Sequence, residues 1–253
     1  MNAVRRSAVA GSFYPDDPLE LAQMIDGFLQ AVPPSSEAAP PVALVVPHAG
    51  YVYSGPVAAA AYARLVPWRA WIRRVMVVGP AHRLPVRGLA LSSASGFATP
   101  LGVVPVDTDA VAALLSRPSV YIDDLAHGPE HCIEVHLPFL QRALGSDWSL
   151  VPALAADIAA ESLADVLSLV WGAPDTLVIV STDLSHYHPI DVARTLDQRT
   201  AAAIVTRSWE EIGREHACGA VPLRAALELA RRGRHHVEAL DVRTSGDTAG
   251  TPD

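Results

Sequence analysis

Five short apolar runs, Ala43 to Val46, Val75 to Val78, Leu89 to Leu91, Leu150 to Leu154 and Leu177 to Val180, mostly lack the alternating polar face of a half-exposed strand. Such runs suit strands covered on both sides, as inside a parallel sheet. Helical periodicity fills the spaces between them, at Leu19 to Leu29, Val57 to Leu65, Val111 to Leu115, Ile133 to Leu144, Ala160 to Val170, Val192 to Val205 and Val221 to Ala230. Strand and helix therefore alternate. The pattern predicts an α/β fold, one domain over residues 1–253 with a mostly parallel central sheet flanked by helices and right-handed crossovers. Half of the 253 residues are hydrophobic and 18% are charged, enough apolar surface for one sizeable core and too much for a disordered chain. Pro33-Pro34-Ser35-Ser36 and Pro40-Pro41 read as a loop before the first strong strand and not as a domain boundary.

Composition removes several chemistries. All 19 basic residues are arginine, so Schiff-base and pyridoxal chemistry and the lysine of a phosphate-binding P-loop are excluded. The 27 acidic residues leave a net charge of −8, and the arginine pairs form no stripe, which argues against nucleic acid. Cys132 and Cys218 are too few for a disulfide framework or a four-cysteine zinc site and fit a reducing compartment. No apolar run approaches the ~18 residues of a membrane span, and Arg5-Arg6 leads only into Ser7 to Gly11 before Tyr14-Pro15. A cytoplasmic location with no membrane partner is the expectation.

Three strands end on a histidine: Val46-Pro47-His48-Ala49-Gly50-Tyr51, Val78-Gly79-Pro80-Ala81-His82, and Val180-Ser181-Thr182-Asp183-Leu184-Ser185-His186. Open α/β sheets bind ligands beyond the carboxyl ends of their strands. One such histidine reads as a cap or a core residue; three at equivalent topological places read as a site. The separation 82 − 48 = 34 fits one βαβ unit, which predicts His48 and His82 on neighbouring strands. Neutral imidazole is the commonest transition-metal ligand, so a two-histidine metal site follows.

Glu130-His131-Cys132-Ile133-Glu134-Val135-His136-Leu137-Pro138 looks like a zinc-protease helix but fails on spacing. His131 and His136 are five apart and fall on different helix faces, whereas His131 and Glu134 share one. This segment is read either as an exposed polar helix start, with Glu130 near the dipole, or as a pocket lining, with Cys132 a small buried residue. Cys218 precedes the apolar helix near Val221, where a thiol tends toward thiolate and can be a nucleophile, a ligand or simply a packed residue. His127, His188, His216, His235 and His236 lie in polar stretches and read as surface residues.

These motifs, in this order, together with Cys218-Gly219 and Pro222 and an opening Ala10-Gly11-Ser12-Phe13-Tyr14-Pro15, resemble the Memo family, whose bacterial and archaeal members are known as AmmeMemoRadiSam system protein B. The resemblance spans nearly the whole chain. It implies an extradiol dioxygenase-like fold, similar to that of the class III ring-cleaving enzymes. It further implies His48, His82 and Cys218 as metal ligands and His186 as the acid/base, with Asp183 beside it. Tyr51, His131, Glu134 and Arg83 are expected to line the substrate pocket. Thiolate in place of the dioxygenases' carboxylate softens the site toward iron, then copper, with zinc behind them. Arg83 departs from the family, which usually has a second histidine there; Thr182 and Cys132 stand where serine is commoner. The chain stops at Asp253, shortly after Ser245-Gly246-Asp247, where relatives continue into a last strand, and an unpaired edge is the expectation.

The resemblance supports two functional classes. One is an iron- or copper-dependent redox enzyme acting on a small molecule, with a radical S-adenosylmethionine protein and an AMMECR1-like protein as partners. The other is a non-catalytic module that binds a peptide or partner protein; a hydrolase using metal-activated water is a third, weaker reading. The enzyme reading expects an open, solvent-reachable site lined by Tyr51, His131 and His186.

Overall fold

The computed structural model describes residues 3–34 and 39–250; Ser35, Ser36 and the last three residues lie outside the described residues. All five apolar runs are strands: β2 (Ala43–Val46), β3 (Arg74–Gly79), β4 (Gly88–Leu91), β8 (Ser149–Ala156) and β9 (Thr176–Ser181). Every residue from Val75 to Val78 and from Leu177 to Val180 is inaccessible to solvent, which is why these runs carry no polar alternation. Four short strands carry too few apolar residues to stand out in the sequence: β1 (Val4–Arg5), β5 (Gly96–Thr99), β6 (Gly102–Pro105) and β7 (Val120–Ile122).

The larger sheet has the order β2-β9-β3-β8-β4-β7. β2, β9, β3 and β8 run parallel, β4 pairs antiparallel with β8, and β7 is parallel to β4, so the sheet is mixed and mostly parallel. The expectation that β2 and β3 are neighbours is corrected: β9 lies between them. A 34-residue separation shows that a crossover fits, not which slot it reaches, and here a later strand fills the gap. A second, three-stranded sheet has the order β1-β5-β6.

The helices are α1 (Pro18–Gln30), α2 (Tyr51–Tyr62), α3 (Thr108–Leu114), α4 (Asp124–His127), α5 (Leu137–Leu144), α6 (Ala160–Leu167), α7 (Ile190–Thr206), α8 (Ala220–Arg232) and α9 (Ser245–Ala249). Asp17 caps α1 by accepting from the N–H groups of Leu19 and Glu20, with Pro18 at the first helical position. α1, α2 and α5 pack together, while α6 packs on α8, which reaches β8 and β9. α2 starts at Tyr51 and tolerates Pro56 inside it, six residues before the start that periodicity predicts. The segment at Glu130 is not a helix: a turn leads into a short 3-10 stretch over Glu134–His136, and α5 begins only at Leu137.

A buried ion pair ties β1 to that turn. The Arg5 guanidinium pairs with Glu134, donates to the carbonyls of His127 and Glu130, and lies 5.4 Å from the Phe97 ring centroid. Glu134 also accepts from the N–H groups of Ala8 and Val9 and from the Tyr14 hydroxyl. This network sets the backbone from which Glu130 and His131 project.

Candidate metal centre

Three chain segments meet beyond the carboxyl ends of the parallel strands. His48 follows β2, His82 follows β3, and Cys218 sits on the loop before α8. Because β9 runs between β2 and β3, its continuation through Thr182 and Asp183 lies among all three. The His48 N–H donates to Asp183 Oδ1 at 2.7 Å, and Cys218 Sγ accepts from the Asp183 N–H at 3.3 Å. Gly219 permits the close approach of the cysteine loop, since a Cβ there would lie 2.6 Å from the Ser181 carbonyl oxygen.

The rings of His48 and His82 are 5.0 Å apart, and Cys218 Sγ is 3.3 Å from His48 Nε2. One ligand atom from each of His48, His82 and Cys218 lies within 4.8 Å of the other two. Metal bonds of ~2.1 Å to nitrogen and ~2.3 Å to sulfur produce such separations, so the donor set fits a first-row transition metal. His48 is buried, while the His82 ring is 28% exposed, so the cluster has a wet side.

The groups perturb one another strongly. Burial pushes the Cys218 thiol up, but hydrogen bonds from His48 and His82 outweigh it and bring the thiol down to about 5. The sulfur and Glu130 in turn raise His82 to about 9. Burial pulls His48 down, yet Asp183 and Cys218 leave it above its ordinary value.

Of the residues expected to line a pocket, His131 lies against the cluster: its ring stacks on His82 at 4.8 Å, meets His48 edge-on at 5.4 Å and holds Nδ1 buried, 3.1 Å from Glu130 Oε1. Arg83 is exposed on the loop after β3 and makes no hydrogen bond or ion pair among the described residues. Tyr51 and Glu134 are corrections. Tyr51 is buried with its hydroxyl donated to the Val135 carbonyl, and Glu134 is spent on Arg5 and its neighbours. Without a helix at position 131, the i, i+3 argument that paired Glu134 with His131 does not apply.

His186 is 41% exposed, with Nε2 at 4.0 Å from Asp183 Oδ2. Asp183 therefore stands between His186 and His48, leaning toward the His48 backbone instead of bonding the His186 ring. A groove of about 1700 Å3 runs past Pro47, Ala49, Asp183 and His186 and along β2. His127 is also a correction: it is 1% exposed, with Nε2 donating to the Ala90 carbonyl.

Two polar residues of the site escape the sequence pattern. Glu130, which reads in sequence as an exposed helix start, is buried, and its carboxylate accepts from His82 Nδ1 and from the N–H groups of His82, His131 and Cys132. Burial pushes its carboxyl up, but the His131 and His82 rings and the His82 backbone N–H outweigh it and hold the carboxyl well below the usual range. Ser181, the last residue of β9, is fully buried and touches the ring nitrogens of both His48 and His136. The available signal is a hydroxyl at the end of an otherwise apolar strand.

A mixed, mostly parallel α/β sheet with two histidines past its strand ends and a cysteine brought to them by the loop before α8 defines an α/β protein with a candidate transition-metal site. The family model described as Memo-like protein matches residues 5–253. The chain is 34% identical over 258 residues to a MEMO1 family protein of Aquifex aeolicus, covering 98% of this chain and 94% of that one. It is 36% identical over 270 residues to a MEMO1 family protein of Sulfolobus acidocaldarius, with coverage of 98% and 94%, and 36% identical over 261 residues to one of Methanococcoides burtonii, with 98% and 96%. The chain belongs to the Memo family.

Proposed function

We propose that this protein is a metal-dependent redox enzyme, dioxygenase-like in layout, in which His48, His82 and Cys218 hold iron in preference to copper or zinc. The observation that carries this reading is the convergence of two imidazole nitrogens and one sulfur within 4.8 Å from three separate loops. A thiolate among the donors favours iron or copper over magnesium or manganese. Three protein ligands leave coordination positions open, as catalytic sites require. A bound metal would supply Lewis acidity and a redox couple there.

The chain's own residues supply the rest. His131 flanks the wet side of the cluster with its ring stacked on His82, and Arg83 offers a cation nearby in sequence. His186 takes or returns a proton at Nε2, which faces Asp183 Oδ2 at 4.0 Å. A reducing, cytoplasmic setting would keep Cys218 out of a disulfide, and the resemblance to AmmeMemoRadiSam system protein B suggests radical S-adenosylmethionine and AMMECR1-like partners. No helix among the described residues is long and apolar enough to cross a membrane.

The large groove beside Asp183 favours a second reading, a module that binds a peptide or partner protein. Metal analysis of protein purified without oxygen, followed by oxygen uptake with catechols, separates the two. About one iron per chain is expected, lost in His48→Ala, His82→Ala and Cys218→Ala but kept in His186→Ala, which loses turnover. Full iron or copper occupancy in Cys218→Ala would remove the thiolate from the site, and a loaded protein with no turnover would favour the binding module.

A further inference from the structure

Ser181 Oγ is fully buried and has three polar neighbours: the Cys132 carbonyl oxygen at 2.6 Å, His48 Nδ1 at 2.7 Å and His136 Nε2 at 2.8 Å. A carbonyl only accepts, so the single hydroxyl hydrogen goes to Cys132. The two lone pairs that remain must each accept from a ring nitrogen. His48 therefore carries its proton on Nδ1, and His136 carries one on Nε2.

The bonded series extends one step further back. His136 is 1% exposed, and burial holds it neutral, so its Nδ1 is an acceptor. The Tyr62 hydroxyl, on α2 and itself fully buried, donates to that nitrogen at 2.7 Å. Tyr62, His136 and Ser181 thus form one directed chain that ends on His48, with each donor matched to an acceptor. In the neutral ring, moving the His48 proton to Nε2 would leave its Nδ1 lone pair facing an oxygen with no hydrogen left to give.

His82 reaches the same state by a different partner. Its Nδ1 lies 2.9 Å from Glu130 Oε1, and an ionised carboxylate only accepts, so this nitrogen also carries the proton. Three backbone N–H groups, those of His82 at 2.6 Å, His131 at 2.9 Å and Cys132 at 3.1 Å, hold the carboxylate in that position. Buried polar groups are usually paired whatever their role. Here the pairing falls on the Nδ1 of both rings that meet at Cys218, which turns Nε2 of each toward the sulfur and the place a metal would take.

We infer that Ser181 and Glu130 are positioning residues that lock His48 and His82 as Nδ1–H tautomers so that both present a bare Nε2 to a metal, with His136 and Tyr62 buttressing the lock on His48. This rests on the metal reading of the same cluster. It adds an asymmetry: His82 is backed by an anion and His48 by a neutral hydroxyl, so His82 is the stronger donor.

The test has two arms. In 15N-labelled, metal-free wild-type protein, long-range 1H–15N correlations of the two rings are read at a series of pH values up to the alkaline limit of the fold. Both rings are expected to keep a proton on Nδ1 at every pH, and a ring that holds a proton on Nε2 with a bare Nδ1 overturns the inference without reference to any variant. In the second arm, cobalt(II) is titrated through its thiolate-to-metal absorption band. Ser181→Ala and Glu130→Gln should each weaken cobalt binding ~10–100-fold. Wild-type affinity in a folded variant overturns the assignment of that residue. A wild-type chain that binds no cobalt would sink the metal reading instead, and the tautomers would still decide the positioning role.

Discussion

Replacing Glu134 with alanine tests whether this carboxylate serves the fold or a substrate. It is fully buried and receives the Arg5 guanidinium, two backbone N–H groups and the Tyr14 hydroxyl. Truncation strands the Arg5 charge, which keeps only its bonds to the His127 and Glu130 carbonyls. Breaking a buried pair from one side costs ~3–5 kcal/mol. The Val9 N–H is buried as well and loses its acceptor, for roughly 1–3 kcal/mol more, whereas water can reach exposed Ala8. These terms overlap, so about 5 kcal/mol is expected. At roughly 2–4 °C per kcal/mol for a chain of this size, the melting temperature should fall by about 10–20 °C. Adding Arg5→Met to Glu134→Ala should recover part of that loss, because the stranded charge is then gone. Thermal melts of the metal-free single and double variants, followed by circular dichroism, give the answer. A Glu134→Ala protein that melts within about 3 °C of wild type would refute the reasoning and return Glu134 to the candidates for substrate contact.

Two further outcomes follow from the titrating groups. Burial, against the opposing hydrogen bond to the Ala90 carbonyl, lowers His127 from 6.5 to about 4, so between those values the unfolded chain binds a proton that the folded chain refuses. Its contribution is complete above pH 6.5 and disappears as pH falls toward 4, (6.5 − 4) × ~1.36 or about 3 kcal/mol in all. His127→Gln should flatten this acid limb in denaturant titrations at a series of pH values, and an unchanged limb would count against a buried neutral imidazole. In metal-free protein Cys218 should alkylate with a midpoint near pH 5, while Cys132, whose thiol burial pushes far up, stays inert. A midpoint at the ordinary ~8.5 would mean that His48 and His82 do not stabilise the thiolate.

Much of this molecule is legible without coordinates. Runs such as Val75 to Val78 and Leu177 to Val180 are apolar at every position because both faces of the sheet are covered, and that requirement leaves a local trace. Histidines just past such strands are legible for the same reason, since open α/β sheets gather ligands at their carboxyl ends. The motif at Glu130 is visible, but its helical spacing misleads. That spacing puts Glu134 beside His131, while the fold breaks the helix, sends Glu134 to Arg5 and turns Glu130 under His82.

What the sequence determined by itself was therefore the alternation of elements, the strand ends that carry His48 and His82, and the absence of lysine chemistry. Those are properties of neighbouring residues, expressed through burial and backbone geometry over a few positions. Only the tertiary structure decided that β9 separates β2 from β3, that Cys218 closes the cluster 170 residues from His48, and that Ser181 and Glu130 stand behind the two histidines. Slot order in a sheet and the partner of a buried polar atom depend on contacts between distant segments. A carboxylate that will bond an arginine 129 residues away looks, in sequence, the same as one facing water.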